Sequence, residues 1–241
     1  MSQNYDEVKK FAKQSLGEMP QVIELLFKLD EESAMEQFKQ NQVLYLGRSS
    51  LSLKTRVLLA ISVALANGPK ESAMIHYKLA KKFNIDRLEI LDAIRATKMA
   101  LMSSTLDSLT PILGEFEGNA KANRNEREAN EILIALKKEN GMVPERVADA
   151  SRFSLELTKE HLREKEELLR PLMLAQRDVF AIALGVSISI RDGECEEIYL
   201  RQFLKHGGTK EEVEDILTTV RFITGNRAFV NSIDILKDMT R

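Results

Sequence analysis

The chain is poor in the residues that build disulfides, metal centres and sheets. One cysteine, Cys195, among 241 residues excludes an internal disulfide. Thiols left unpaired suit a reducing compartment, so a cytoplasmic location is expected. The three histidines, His76, His161 and His206, include no pair at metal-ligand spacing, and neither a metal nor a cofactor is expected. Neither sign of charge predominates: Lys+Arg 35 against Asp+Glu 37 gives a net charge of -2, without the basic field that holds nucleic acid. The opening residues MSQNYDEVKKFAKQSLGEMP contain no unbroken apolar stretch, so no signal peptide and no membrane contact is expected. Strand signals are nearly absent. Val186 to Ile190 is the one β-branched run, and it sits inside a longer helical pattern.

What is present is helix after helix. Tyr5 to Leu16 puts Val8, Phe11, Ala12 and Leu16 on one face, and Gly17 ends that helix. Pro20 suits the first turn of the next helix, where its missing N–H is not needed. Asp30 opens a third helix with an expected buried face of Ala34, Met35, Phe38, Val43 and Leu46, closed by Gly47. From Leu51 to Ile94 an apolar helix turns over at Asn67-Gly68-Pro69 into a helix carrying His76, and a third helix begins at Asp86. Asp86 with Glu89 forms an N-terminal capping pair, followed by Ile90, Leu91, Ile94, Met99 and Leu101, most of them on one face. Glu115 to Arg127 is polar without apolar periodicity and is the expected linker.

The pattern then repeats at a period of roughly 120 residues. Glu18-Met19-Pro20 recurs as Gly141-Met142-Val143-Pro144, and the turn and cap from Asn84 to Ile90 recur from Gly207 to Val213, where Thr209 and Glu212 form the capping pair. These recurrences predict an all-α chain of two tandem helical repeats, residues 1–118 and 119–241.

The segment from Leu51 to Ile94, with its Asn-Gly-Pro turn and His76, resembles the core of the carboxymuconolactone decarboxylase and alkylhydroperoxidase D-like family. Arg177 to Phe229 resembles it again. The resemblance implies two alkylhydroperoxidase D-like repeats and peroxiredoxin-like or decarboxylase chemistry. It also implies a closed homo-oligomer, a trimer for two-repeat chains. Family members use two cysteines three apart at a helix start, aided by a Glu and a His. In the first copy the Glu falls on Val57 and the cysteines on Pro69 and Ser72, while the His is retained as His76. In the second, Asp178 is the candidate acid, two residues off the family spacing, and Asp192, Cys195 and Tyr199 take the other places.

Neither copy holds a dithiol, so the expected function is a non-catalytic or ligand-binding scaffold. The alternatives are a lactone-acid decarboxylase using His76, or a residual oxidoreductase using Cys195. Ser72 and His76, four apart, share a helix face, and with Cys195 they are the candidate site residues; a small-molecule acid or lactone is the candidate ligand. Glu194, Glu196 and Glu197 should disfavour the Cys195 thiolate, and the bland reading of Cys195 is a small half-buried residue. His206 is expected to cap a helix C-terminus and His161, in KEHLREKEE, to lie on a solvated face.

Overall fold

The computed structural model describes residues 2–116 and 126–241, so the expected boundary at 118/119 and most of the expected linker lie outside the described residues. Every regular element within them is helical. The first half runs through α1 (Gln3–Leu16), α2 (Gln21–Leu29), α3 (Glu31–Asn41), a π-helical turn (Gln42–Leu46), α4 (Leu53–Asn67), α5 (Lys70–Lys82), α6 (Arg87–Ser104) and, after a short 3-10 turn, α7 (Leu109–Phe116). The second half contains α8 (Glu126–Asn140), α9 (Glu145–Phe153), α10 (Leu155–Leu169), α11 (Gln176–Ile190), α12 (Gly193–Lys205), α13 (Lys210–Asn231) and α14 (Ile233–Met239).

The centre is made by α4 and α11, which pack on each other. Both helices are apolar almost all round: Thr55 to Ala64 is buried without a break, as is Ala181 to Ser187. A helix of that kind is stable only when neighbours enclose it. Gly185 permits the close approach, since a Cβ there would lie 2.2 Å from Leu59 Cδ1.

The other helices cover this pair crosswise. The long helix α6 packs on α11 and α13 packs on α4; α10 lies on α6, and the π turn lies on α13. Each long helix also sends a buried carboxylate into the other half. Asp92 on α6 accepts from Leu174 N at 3.0 Å, just ahead of α11, and Asp215 on α13 accepts from Leu51 N at 2.8 Å, just ahead of α4. Buried carboxylates satisfied by backbone N–H groups fix the connections between helices.

Helix lengths and turns recur in order. The pairs α2/α9, α4/α11 and α5/α12 have 9, 15 and 13 residues each. Gly17 and Gly141 take left-handed φ of 84° and 78° after α1 and α8, and Asn84 at 53° and Gly207 at 85° do so after α5 and α12. The expected capping boxes, Asp86 with Glu89 and Thr209 with Glu212, are both formed. Their glutamates take matching partners: Lys54 pairs with Glu89 at 2.5 Å and Arg177 pairs with Glu212.

Two expected faces are corrected. Beyond α3, Val43 is 54% exposed while Gln37 and Tyr45 are buried, because the π turn shifts the register after Asn41. The first half holds one residue more between Asp30 and Leu51 than the second holds between Ser154 and Leu174, and the wider turn absorbs it. On α6 the apolar residues divide. Ile90 and Met99 enter the core, whereas Leu91, Ile94 and Leu101 face out, because α6 buries its alanine-rich side, Ala93, Ala96 and Ala100.

Candidate functional site

The π turn places the site's least expected residue. Its i+5 bond, Gly47 N to Gln42 O at 2.7 Å, leaves no room for a side chain at Gly47, where a Cβ would lie 2.4 Å from the same oxygen. Arg56, buried on α4, donates to the Tyr45, Leu46 and Leu51 carbonyls, the last two at 3.2 and 3.1 Å, and so holds the turn from inside. Tyr45 is thereby turned onto α5, its hydroxyl 3.3 Å from His76 Nδ1 and its ring nearly perpendicular to the imidazole at 87°. Phe222 of α13 backs the Tyr45 ring at 6.0 Å.

Ser72 and His76, both buried, do share one face of α5, as their spacing predicts, and that face looks into a cavity of about 470 Å³. Apolar side chains form most of the wall, among them Val8 and Phe11 of α1, Val22 of α2 and Phe229 of α13. The volume and lining are those of a small-molecule pocket. Burial pushes the His76 imidazole down to about 4, so the ring is neutral at pH 7. Burial pushes the Tyr45 phenol up, which keeps it protonated. A protonated phenol is the better donor and an imidazole lone pair the better acceptor. On that ground the hydrogen bond is assigned as Tyr45 O–H to Nδ1, which leaves the imidazole proton on Nε2.

Counterpart positions in the second half hold different chemistry. Where the cavity has Val22, Gln37, Asn41, Ser72 and His76, the second half has Arg146, His161, Lys165, Cys195 and Tyr199. Arg146 is buried and donates to Asp192 through both terminal nitrogens, one bond at 2.7 Å, and to Ser103 O at 3.0 Å. It also pairs with Glu194 at 2.8 Å and with Asp107 at 3.1 Å. Burial works against this charge, but the bonds to Asp192 and Glu194 hold the guanidinium pKa above its usual value. Asp192 in turn caps α12, accepting from Cys195 N at 3.0 Å. Lys165 lies over the Tyr199 ring at 5.3 Å, and burial pushes its amine down. The place that is a cavity in one half is filled by a cation and its partners in the other.

Cys195 is therefore not with Ser72 and His76. It is 3% exposed rather than half-buried, 3.8 Å from an Arg146 nitrogen. Its thiol is pushed up to about 12 by burial first and then by Asp192; the neighbouring glutamates are not the cause, and Glu194 is engaged by Arg146. His161 is buried, not solvated, because Leu155, Thr158, His161 and Leu169 form the inward face of α10; burial pushes it down to about 4. His206 behaves as expected, capping α12 with Nδ1 on Gln202 O at 2.8 Å. Asp178 is the third residue of α11, as Thr55 is of α4, so Phe180 and not Asp178 is the counterpart of Val57.

Tyr45, Asn41 and Arg146 were missed as site residues. The signal that could have found Tyr45 is the one-residue drop in the repeat interval between Asp30 and Leu51, which marks an insertion. Among the described residues no group of three or more His, Cys, Asp or Glu could hold a metal ion, and no helix is long and apolar enough to cross a membrane.

Residues 32–106, which contain the π turn, α4, α5 with Ser72 and His76, and α6, match the sequence model of the Carboxymuconolactone decarboxylase family. Over that segment the chain is similar to the carboxymuconolactone decarboxylase family. The chain also has the fold of a protein from Burkholderia xenovorans LB400, described as a candidate gamma-carboxymuconolactone decarboxylase subunit. The TM-score is 0.80 over 97% of this chain and 96% of that one, at 15% sequence identity, a likeness of fold alone. No curated protein matches the chain. With one cysteine, Cys195, the chain cannot form the intrachain disulfide that dithiol chemistry requires.

Proposed function

We propose that this is a carboxymuconolactone decarboxylase-like chain of two equivalent halves, 1–118 and 119–241, that binds a small molecule at His76 and performs no thiol redox chemistry. The cavity of about 470 Å³ that contains Ser72 and His76 carries this reading. The second half serves as scaffold, its counterpart site closed by Arg146 and Asp192. A buried thiol pushed up to about 12, with no second cysteine, argues against an oxidoreductase built on Cys195.

The outward residues Ile94 on α6 and Leu217 on α13, at counterpart positions, support a closed homo-oligomer, with a trimer expected. A cytoplasmic location is part of the same reading. The test is ligand-observed NMR with a library of small carbonyl compounds and alcohols, comparing the native chain with Val22→Trp, which fills the cavity. Binding by the native chain and none by the folded variant is expected. Equal binding by both would place the site elsewhere.

A further inference from the structure

The cavity has a polar end whose chemistry selects among ligands. His76 uses Nδ1 on Tyr45, and its Nε2 has no partner among the described residues. As assigned above, that nitrogen carries the proton, so the ring offers one N–H donor and no charge. Asn41, which also lines the cavity, keeps Oδ1 shielded from solvent without a hydrogen-bond partner. An unmatched buried acceptor calls for a donor. Gln37 and Asn226 line the same space, and Gln37 Nε2 donates to Asn226 Oδ1 at 2.7 Å.

Charge in the wall is unfavourable to an anion. Its cation is Lys78, half-exposed and paired with Glu18, and Glu71 adds a second carboxylate. Arg56 lies behind the π turn, where backbone carbonyls engage its guanidinium. A carboxylate moved into this space would leave water without a cation to meet it, a penalty of several kcal/mol.

We infer that the His76 cavity takes an uncharged carbonyl compound bearing a hydroxyl group, with the carbonyl oxygen on His76 Nε2–H and the hydroxyl on Asn41 Oδ1, and that it rejects carboxylates. The inference rests on the ligand-binding reading above and narrows it to a substrate class. It replaces the small-molecule acid of the family resemblance with a neutral molecule. Neutral imidazole is the form suited to polarising a carbonyl, as it donates without requiring a counter-charge. Val22 and Arg146 mark the contrast: the second half places a guanidinium at this position together with the acids that neutralise it, and the first half places neither.

Three probes of similar shape separate the possibilities at pH 7.5 by isothermal calorimetry: 4-hydroxyacetophenone, 4-hydroxybenzoate and acetophenone. The hydroxy-ketone should bind at least about tenfold more tightly than the carboxylate. Acetophenone should bind more weakly than the hydroxy-ketone, and Asn41→Leu should abolish that difference. His76→Phe should weaken the ketone severalfold, with folding checked by circular dichroism; Tyr45→Phe supplies a second variant that keeps the ring packing. Binding of 4-hydroxybenzoate as tight as the ketone would overturn the charge selection and leave the pocket reading standing. Failure of all three probes at millimolar concentration, with the native fold intact, would overturn both.

Discussion

Thr55 Oγ1 donates to Asp178 Oδ1 at 3.1 Å across the contact between α4 and α11, and the two residues are 123 positions apart. The same interval separates Asp92 from Asp215, Ser72 from Cys195 and His76 from Tyr199. The bond lies in the contact between the two helices at the centre of the fold. Removing the terminal segment of either half would strip cover from the other. Among the residue differences between the halves, Val22 lines the cavity, whereas Arg146 is buried with Asp192 and Glu194 as partners.

Arg146→Met should destabilise the chain by about 3–5 kcal/mol, because it leaves Asp192 buried without its cation. Urea unfolding at pH 7 measures this. The double variant Arg146→Met with Asp192→Asn should recover part of the loss, and a purely additive result would mean that the two side chains are not coupled.

Gly47→Ala should cost about 1–3 kcal/mol, since the new Cβ would meet the backbone oxygen of Gln42 and not a movable side chain. Its effect should reach the site. The His76 imidazole resonances should shift in NMR as Tyr45 moves, and unchanged resonances would separate the π turn from the placement of Tyr45.

Stability should fall as pH drops from about 6.5 to about 4. His76 and His161 are neutral in the fold, both pushed down to about 4, whereas an unfolded chain binds their protons near 6.5. The unfolded state therefore holds more protons in that window, and each histidine accounts for up to roughly 3 kcal/mol, present above pH 6.5 and lost toward pH 4. Burial pushes Asp192 up, but its bonds from Arg146 hold it below its usual value, so it contributes stability that is present throughout this window and is lost only at lower pH. Urea midpoints across this range check the sign, and His161→Leu should flatten the slope.

Cys195 should react with an aromatic disulfide reagent at pH 7 about 1,000-fold more slowly than a free thiol, because a thiol at about 12 carries little thiolate and the sulfur is 3% exposed. Unfolding in urea should restore the ordinary rate. Peroxidase assays with a dithiol reductant should show negligible turnover for the native chain and for Cys195→Ser alike. Turnover abolished by that substitution alone would contradict the scaffold role of the second half.

Much of this protein was legible in its residues. Apolar spacing, Gly17, Pro20 and the Asp86–Glu89 cap located helices because they act over one or two turns, and such local signals survive without tertiary information. The two capping boxes were legible because each follows a left-handed residue, Asn84 or Gly207, by two positions. Ser72 and His76 could be assigned to one face of α5 from their spacing alone.

Other features depended on contacts remote in the chain. The sequence of α6 offers Leu91 and Ile94 as readily as Ala93 and Ala96, and only the approach of α4 and α11 decides which side is buried. His161 sits in a charged run that reads as solvated, yet α10 is turned inward against α6. The sequence by itself determined the helices, their caps and the lack of a dithiol, all set by residue identity and near neighbours. Only the tertiary structure decided that Tyr45 meets His76, that Val22 lines a cavity, and that Arg146 is buried on Asp192. Those outcomes turn on volume and charge delivered from helices many residues away, and such distances carry no signature in local spacing.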